Sequence, residues 1–228
     1  HKTIQYDHIP TINYFKEAKA NLVSLDIKIK GKNIGYIIGA GDKVPEALQQ
    51  LGYNVIILDE KNISTDNIKN LDAIITGIRA YNVHEYLSDK YTVLMNYVQQ
   101  GGNLIVQYNT NNQIGPVRAK MSPYNFTISR TRVTEENATV KFLLPNHPAL
   151  NFPNTITAKD FEGWMQERST YQAEKLDSNY SAILAMNDKG EAESNGSLIT
   201  AKYGKGNFVY VSLVMFRQLP AGNVGAYR

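Results

Sequence analysis

The sequence of 228 residues contains no cysteine. This absence excludes disulfide bonds, a thiol nucleophile and thiolate metal sites together, and it leaves the redox compartment of the protein open. Lysine and arginine form no run of five or more, and the formal net charge is only +3. The composition therefore gives no indication of nucleic-acid binding, and it predicts a mixed, weakly basic surface.

Long apolar stretches are also missing, because no run approaches the roughly 20 residues that a membrane-spanning helix needs. The sequence shows no signal peptide. It begins at His1 rather than at methionine, so we expect a piece of a longer protein whose targeting segment lies elsewhere. The hydrophobic share of 43% is that of an ordinary globular domain.

Short apolar runs alternate with helical patterns over the first half of the chain. The runs end near residues 38, 58, 76 and 106, and helices are predicted over 45–51 and 88–100, each followed by glycine. Such alternation is typical of βαβ units, which build a parallel sheet covered on both faces. The sequence therefore predicts an α/β fold over this part of the chain.

Two other regions have different patterns. Residues 1–30 are predicted as a lead-in segment ended by Pro10, followed by a half-buried edge strand over 21–30. Residues 31–228 are predicted as the main domain, with a β-rich insertion at about 111–160 that holds short strands near 126–129 and 140–144. A later strand is predicted at 182–186, and Gly204 marks a hairpin between strands over 197–202 and 207–213.

Polar side chains follow three of the predicted strands. Because ligands in open α/β sheets bind outside the carboxyl ends of the strands, these side chains are candidate ligand-binding residues. A guanidinium, a phenol and an amide could together bind a carboxylate, a phosphate or a sugar hydroxyl, whereas an arginine that braces loops is the structural alternative. The candidates are Asp42, Arg79, Tyr81, Asn82, Gln107, Tyr108 and Asn109.

No catalytic residue is predicted. A nucleophile elbow would place serine or cysteine after a strand, but the fourth predicted strand ends in Gln107, Tyr108 and Asn109, none of which is a competent acyl-transfer nucleophile without unusual help. The four histidines lack the spacing of metal ligands. The spacing of the histidines therefore predicts no metal site, although it says nothing about a site that is assembled from residues distant in sequence.

An acidic cluster surrounds the only tryptophan. Two close carboxylates could perform acid–base chemistry on a glycoside, and an indole ring is a good stacking surface for a sugar. Glu162 and Trp164 are therefore further candidate ligand-binding residues, and a stand-alone hydrolase that uses Asp160, Glu162 or Glu167 is one alternative function. A solvated acidic face, with Glu162 paired to Arg168, is the structural alternative.

The segment Gly39-Ala40-Gly41 lies between a predicted strand and a predicted helix, and Asp59 ends the next strand. This is the layout of a dinucleotide fingerprint, so a nucleotide-binding domain at Gly39–Asp42 is a second alternative. However, Val44 stands where a third glycine is required, and Asp42 would place a negative charge beside the phosphates. A tight βα turn without a ligand is the competing interpretation.

Six stretches together resemble a known arrangement: IGYIIGAGD at 34–42, TGIRAYN at 76–82, YVQQGGNLIVQYN at 97–109, HPAL at 147–150, DFEGW at 160–164 and FRQLPAG at 216–222. They resemble the C-terminal region of long PIG-L/LmbE-like deacetylases of the Bacteroidetes type. That region is similar in fold to class I glutamine amidotransferases and ThuA-like domains. The resemblance covers most of the chain and implies a three-layer αβα, flavodoxin-like, mainly parallel sheet with an added β-rich segment.

The resemblance also implies a function for the intact protein. It implies an upstream zinc-dependent deacetylase domain that acts on N-acetylglucosamine-type sugars, and a periplasmic or otherwise exported location. The His-Pro-Asp-Asp metal motif of that domain is absent here, so zinc is expected only upstream and no cofactor is expected in this chain.

In the amidotransferase fold the nucleophilic cysteine follows the strand that here ends at Gln107. We therefore expect a non-catalytic accessory domain that binds glycan, packs on the upstream domain or forms an oligomer of unspecified size.

Overall fold

A computed structural model describes residues 1–19, 24–111 and 119–228. The strands in chain order are β1 (Lys2–Tyr6), β2 (Ile9–Tyr14), β3 (Asn33–Ile37), β4 (Asn54–Leu58), β5 (Ala73–Thr76), β6 (Asn103–Gln107), β7 (Thr127–Ile128), β8 (Arg132–Val133), β9 (Lys141–Phe142), β10 (Ser169–Thr170), β11 (Ala173–Glu174), β12 (Tyr180–Ala182), β13 (Leu184–Ala185), β14 (Leu198–Tyr203) and β15 (Gly206–Val211). The α-helices are α1 (Val44–Gln50), α2 (Thr65–Ile68), α3 (Ala80–Val83), α4 (Leu87–Gln99), α5 (Pro148–Asn151) and α6 (Met215–Gln218), and two 3-10 helices span Ala158–Phe161 and Val224–Tyr227.

Seven of the described strands form the central sheet, in the order β4-β3-β5-β6-β15-β14-β12. The first five run parallel to one another, whereas β14 is antiparallel to both of its neighbours. Among the parallel strands the second in sequence lies at the edge and the first lies beside the third, which is the flavodoxin-like order. The α/β prediction is confirmed, and the direction of winding reverses between β3 and β5.

Side chains on the two faces of the sheet belong to separate buried clusters, because successive strand residues point to opposite faces. On one face, Leu94 and Val98 of α4 pack with Leu104 of β6 and Phe208 of β15. On the other face, a cluster at the carboxyl-terminal part of the chain includes Trp164, and α1 packs on Tyr36 with residues that follow α6. These are the three layers that the resemblance implies.

The structure differs from the sequence prediction over residues 1–30. Strands β1 and β2 pair as an antiparallel hairpin with Ile4 opposite Ile12, and Pro10 lies inside β2. Residues 24–30 form no strand; instead the backbone of Lys28 exchanges two 2.9 Å hydrogen bonds with the side-chain amide of Asn154. The rest of the predicted edge strand, residues 21–23, lies outside the described residues.

The β-rich segment consists of short strand pairs outside the central sheet. Strands β7, β8 and β9 have two residues each and pair with β11, β10 and β13 respectively, so the predicted strands at 126–129 and 140–144 are shorter than expected. The predicted strand at 182–186 is divided between the end of β12 and β13. Across the described ranges, no helix is long and apolar enough to cross a membrane.

Candidate functional site

Asp42 joins two loops at the point where the winding of the sheet reverses. Its carboxylate accepts hydrogen bonds from the Tyr36 hydroxyl at 2.6 Å and the Val44 amide at 3.0 Å in its own loop, and from the Ile78 amide at 3.2 Å in the loop after β5. A carboxylate that accepts several N–H and O–H groups is a strong local cross-link. Asp42, predicted as a ligand-binding residue, therefore connects the two loops.

Two glycines allow these loops to touch. A Cβ atom at Gly39 would overlap the carbonyl oxygen of Ile78, and one at Gly77 would lie 2.7 Å from the Gly39 amide nitrogen. The amide of Ala40 also donates to the Ile78 carbonyl at 2.8 Å. Any larger side chain at either glycine would separate the loops, so these glycines serve close backbone contact.

This arrangement gives no support to a nucleotide site at Gly39–Asp42. The amides of Val44 and Ile78, which are the kind of donors that hold a pyrophosphate, are engaged by the Asp42 carboxylate. Helix α1 is only seven residues long and has no side-chain cap hydrogen bond. The chain supplies its own anion at the position where the fingerprint would bind a phosphate.

Gln107, the last residue of β6, and Asn109, just beyond it, lie inside the fold rather than at its surface. Gln107 is 6% exposed and donates to the Tyr36 hydroxyl at 3.0 Å. Asn109 is fully buried, donates to the Gln107 carbonyl at 3.0 Å and accepts from the Tyr81 amide at 3.0 Å. Both side chains position loops, because their polar groups are used within the protein.

Tyr81 and Asn82 on α3 are buried in the same way. Tyr81 is 1% exposed and belongs to the core cluster under α4, where burial raises the pKa of its phenol above the ordinary range. Asn82 donates to the Thr110 carbonyl at 3.0 Å and accepts from the Thr110 amide at 2.8 Å. These contacts tie α3 to the segment after β6.

Arg79 and Tyr108 are the two strand-end candidates that stay partly exposed and adjacent to each other. The Arg79 amide donates to the Tyr108 carbonyl at 2.8 Å. Burial raises the pKa of the Tyr108 phenol, and the positive charges of Arg79 and Arg217 act in the opposite direction. Both guanidiniums are therefore within electrostatic reach of this phenol.

Aromatic rings flank Tyr108. The Tyr171 ring lies parallel to it with centroids 5.9 Å apart, and the Phe216 ring is tilted by 36° at 5.4 Å. Tyr171 has a φ of 55°, in the left-handed region that a non-glycine residue seldom adopts, and the Tyr210 hydroxyl donates to its carbonyl at 2.7 Å. The Tyr171 backbone, in this conformation, places the Tyr171 ring against the ring of Tyr108.

Glu167 completes the charged part of the site. Its side chain is 3% exposed and forms ion pairs with Arg132 at 2.6 Å and Arg217 at 3.3 Å. Arg217 lies on α6, which follows β15, and its side chain also donates to Gln166. We call the following six residues the arginine–tyrosine cluster: Arg79, Tyr108, Glu167, Tyr171, Phe216 and Arg217.

The remaining sequence-predicted residues do not join this cluster. Trp164 is 4% exposed, and its indole N–H donates to the Asp160 carbonyl at 2.9 Å, so the ring is part of the core. Asp160 caps the first 3-10 helix by accepting from the Thr157 amide at 2.7 Å, and it lies 3.7 Å from Arg228. Glu162 is exposed at the rim of an open groove.

The predicted pair between Glu162 and Arg168 is not formed. Arg168 is 5% exposed, donates to the Phe161 carbonyl and lies over the rings of Phe161 and Trp164 at 5.9 and 5.8 Å. Its burial lowers the pKa of the guanidinium. Asp160 thus caps a helix, Glu167 forms ion pairs and Glu162 is exposed. This arrangement gives no support to a hydrolase that uses these three carboxylates.

Potential metal ligands do not converge in the described part of the chain. Within residues 1–19, 24–111 and 119–228, no group of three or more His, Cys, Asp or Glu side chains comes close enough to hold a metal ion. The resemblance implies zinc in the upstream domain, and the described side chains of this chain do not form a site that fits such an ion.

Sequence reasoning named Glu167 only as a possible hydrolase residue, and it missed Tyr171, Phe216 and Arg217 altogether as site residues. Phe216 and Arg217 follow the predicted strand over 207–213, so their position at the same edge of the sheet was an available signal. Tyr171 carries no such signal, because it reaches the site through the pairing of Ser169 with Leu213 after β15. Long-range pairing of this kind is not visible in local sequence.

The strand order defines a flavodoxin-like α/β fold. The chain is similar in structure to cytoplasmic protein STM1381 from Salmonella typhimurium LT2, with a TM-score of 0.55, 12% identity, and coverage of 86% of this chain and 96% of that one. At this identity the similarity shows the fold alone.

Two further solved structures are similar at lower scores. A ThuA-like protein from Bacteroides uniformis has a TM-score of 0.48 and 11% identity, covering 83% of this chain and 86% of that one. A GMP synthase-like protein from Thermoplasma acidophilum has a TM-score of 0.47 and 12% identity, covering 88% of this chain and 96% of that one. No family model and no curated protein matches the sequence.

Proposed function

We propose that this chain is a non-catalytic accessory domain of a zinc-dependent N-acetylglucosamine-type deacetylase, and that it binds glycan at the arginine–tyrosine cluster. The observation that carries the binding part is the composition of the carboxyl edge of β5, β6 and β15. There, Tyr108 lies at the end of the strand after which the resemblance implies the amidotransferase nucleophile, and two further rings lie beside it. The deacetylase part rests on the sequence resemblance.

Aromatic rings with charged neighbours are suited to sugars. A ring offers an apolar face for the C–H face of a pyranose, while guanidinium and carboxylate groups bind its hydroxyls. Tyr108, Tyr171 and Phe216 are each partly exposed, so the cluster keeps ring surface toward solvent. Glu167 and Arg217 are held in place by their ion pair, and a pre-arranged site loses less entropy on binding.

A titration of this chain with N-acetylglucosamine oligomers tests the proposal. We expect binding by the parent chain and a loss of about tenfold in affinity for Tyr108→Ala, since removing one stacked ring costs about 1.4 kcal/mol. Tyr6→Ala is the matched control, because Tyr6 is 61% exposed on the amino-terminal hairpin. If no oligomer binds the parent chain, the glycan-binding proposal is refuted.

The accessory part requires a separate measurement on the longer protein. We expect the deacetylase activity of the full-length protein on polymeric N-acetylated glycan to fall in Tyr108→Ala, while its activity on a short soluble substrate stays the same. An accessory site acts by holding the polymer and does not take part in the chemistry. Equal losses on both substrates would contradict an accessory role for the cluster.

A further inference from the structure

Arg79 is the one charged member of the cluster whose guanidinium has no counter-charge among the described residues. Its side chain forms no hydrogen bond or ion pair there, and its Nε is buried without a partner. The residue is partly buried overall. A guanidinium without an acceptor is disfavoured in a folded protein. Because Nε is shielded from solvent, a partner from outside the chain would bind the terminal nitrogens of this partly exposed residue.

The backbone of Arg79 points to the same conclusion. Its φ is 58° and its ψ is 22°, a left-handed conformation at the start of α3 that glycine would adopt at lower cost. An unfavourable backbone conformation that persists in a fold is typical of binding and catalytic sites. The Arg79 amide donates to the Tyr108 carbonyl, so the conformation holds this arginine beside the cluster.

The other charges of the cluster do not compensate Arg79. The single carboxylate, Glu167, is already paired with both Arg132 and Arg217. Three guanidiniums thus accompany one carboxylate, and the local balance is positive. Guanidinium groups bind carboxylate and sulfate groups through two parallel N–H···O bonds, so the chemistry that fits this excess is an oxyanion.

We propose that Arg79, together with Arg217, binds a carboxylate or sulfate group carried by the glycan, so that the ligand is an acidic polysaccharide. This inference rests on the proposed glycan-binding function and specifies its ligand class. In such a polymer, acidic sugar units would accompany the N-acetylated units. The acidic group would approach Arg79 at the Tyr108 position, and a neighbouring sugar ring would lie against the aromatic side chains.

The test compares three probes on the full 228-residue chain. They are a neutral N-acetylglucosamine oligomer, an oligomer of equal length that alternates glucuronate with N-acetylglucosamine, and inorganic sulfate. We expect the acidic oligomer to bind at least about tenfold more tightly than the neutral one, and we expect this preference to weaken as salt screens the charges.

Substitutions then assign the preference to Arg79. Arg79→Gln should weaken binding of the acidic oligomer about tenfold more than binding of the neutral one, which removes the preference. Arg79→Lys should lose part of the preference because lysine lacks the planar fork. Lys205→Gln removes the same charge at the opposite edge of the sheet, in the exposed turn before β15, and should change nothing. Fluorescence of the buried Trp164 checks that each variant is folded.

Each outcome separates this inference from the proposed function. Equal affinity for the neutral and acidic oligomers, or a preference that survives Arg79→Gln, overturns the acidic ligand and leaves glycan binding standing. Binding of sulfate without either oligomer identifies a site for free anions and refutes both proposals. Binding of none of the three probes also refutes both.

Discussion

Removal of the Asp42 carboxylate should destabilise the whole fold, although this residue lies at the edge where ligands of α/β proteins bind. Its two oxygens accept hydrogen bonds from Tyr36, Val44 and Ile78 at 2.6, 3.0 and 3.2 Å. Two of these donors belong to the chain segment that includes β3 and α1, and the third follows β5. The substitution Asp42→Ala therefore breaks the connection between two neighbouring strand ends.

The size of the effect follows from the number and kind of bonds. A hydrogen bond to a charged group contributes about 1.5–3 kcal/mol, and bonds that share one acceptor are not additive. Because Asp42 is partly exposed, water replaces some of the lost interaction. We expect Asp42→Ala to lower the free energy of unfolding by about 3–4 kcal/mol, and Asp42→Asn to lower it by about half as much, since one carbonyl oxygen remains.

Urea unfolding measures this loss, and the single tryptophan supplies the signal because Trp164 is 4% exposed. Asp66→Ala is the matched control. Its side chain is 88% exposed and pairs with Lys69 at the surface, so we expect a change within about 0.5 kcal/mol. A double-mutant cycle with Tyr36→Phe should give a coupling of about 1–2 kcal/mol. A loss below about 1 kcal/mol for Asp42→Ala would refute the structural role and return Asp42 to the ligand-binding candidates.

Two further predictions concern backbone conformation and pH. The Arg79→Gly variant should be more stable than Arg79→Ala by about 1 kcal/mol, because the φ of Arg79 is 58°. At exposed Asn96 within α4, the glycine variant should instead be less stable than the alanine variant by a similar amount. If urea unfolding gives the glycine-minus-alanine difference in stability the same sign at both positions, the left-handed conformation of Arg79 is contradicted. Burial raises the pKa of Tyr97 and of Tyr180 from 10.0 to about 12, so their contribution to stability is fully present below pH 10.0 and is lost as pH rises toward 12. Urea midpoints measured across that interval should fall, and they should fall less steeply in the Tyr97→Phe/Tyr180→Phe variant; parallel curves for the two proteins would argue against buried phenols as the cause.

The parallel half of the sheet could be predicted from the sequence because its signals are local. Strand β4 was predicted with the same bounds that the structure shows, Asn54–Leu58, and α4 differs from its prediction by one residue at each end. A buried parallel strand is a continuous apolar run, and a helix on its surface has a 3.6-residue stripe. Neither signal depends on distant partners.

The predictions failed where hydrogen bonding decides between similar patterns. Residues 24–30 keep the alternation of an edge strand, with Leu25 and Ile27 partly buried. However, they form no strand, and the backbone of Lys28 pairs with the side chain of Asn154. Sequence reasoning ended the lead-in segment at Pro10, which lies inside β2 of the hairpin. Proline is compatible with an edge strand, and in a two-stranded hairpin both strands are edges.

The candidate site shows the same division between local and distant causes. Position after a strand selected Arg79 and Tyr108 as candidates, and both are partly exposed at the carboxyl edge. It could not distinguish them from Gln107 and Asn109, which lie at the end of β6 beside Tyr108 but are 6% and 0% exposed. Their burial depends on Tyr36, Tyr81 and Tyr210, whose hydrogen bonds to them cross the sheet.

Two neighbouring places at this edge differ in how their charge is balanced, and this difference is the basis for assigning the site. Between β3 and β5, the amides of Val44 and Ile78 donate to the carboxylate of Asp42, which belongs to the chain itself, so they require no external anion. Beside β6 the guanidinium of Arg79 has no such partner in the described part of the chain, and Glu167 is already shared by two other arginines. A counter-charge within the chain indicates a structural connection. An arginine that has no counter-charge and an unfavourable backbone conformation indicates that a ligand supplies the negative charge. For that reason the arginine–tyrosine cluster, and not the glycine-rich loop, is where binding should be measured.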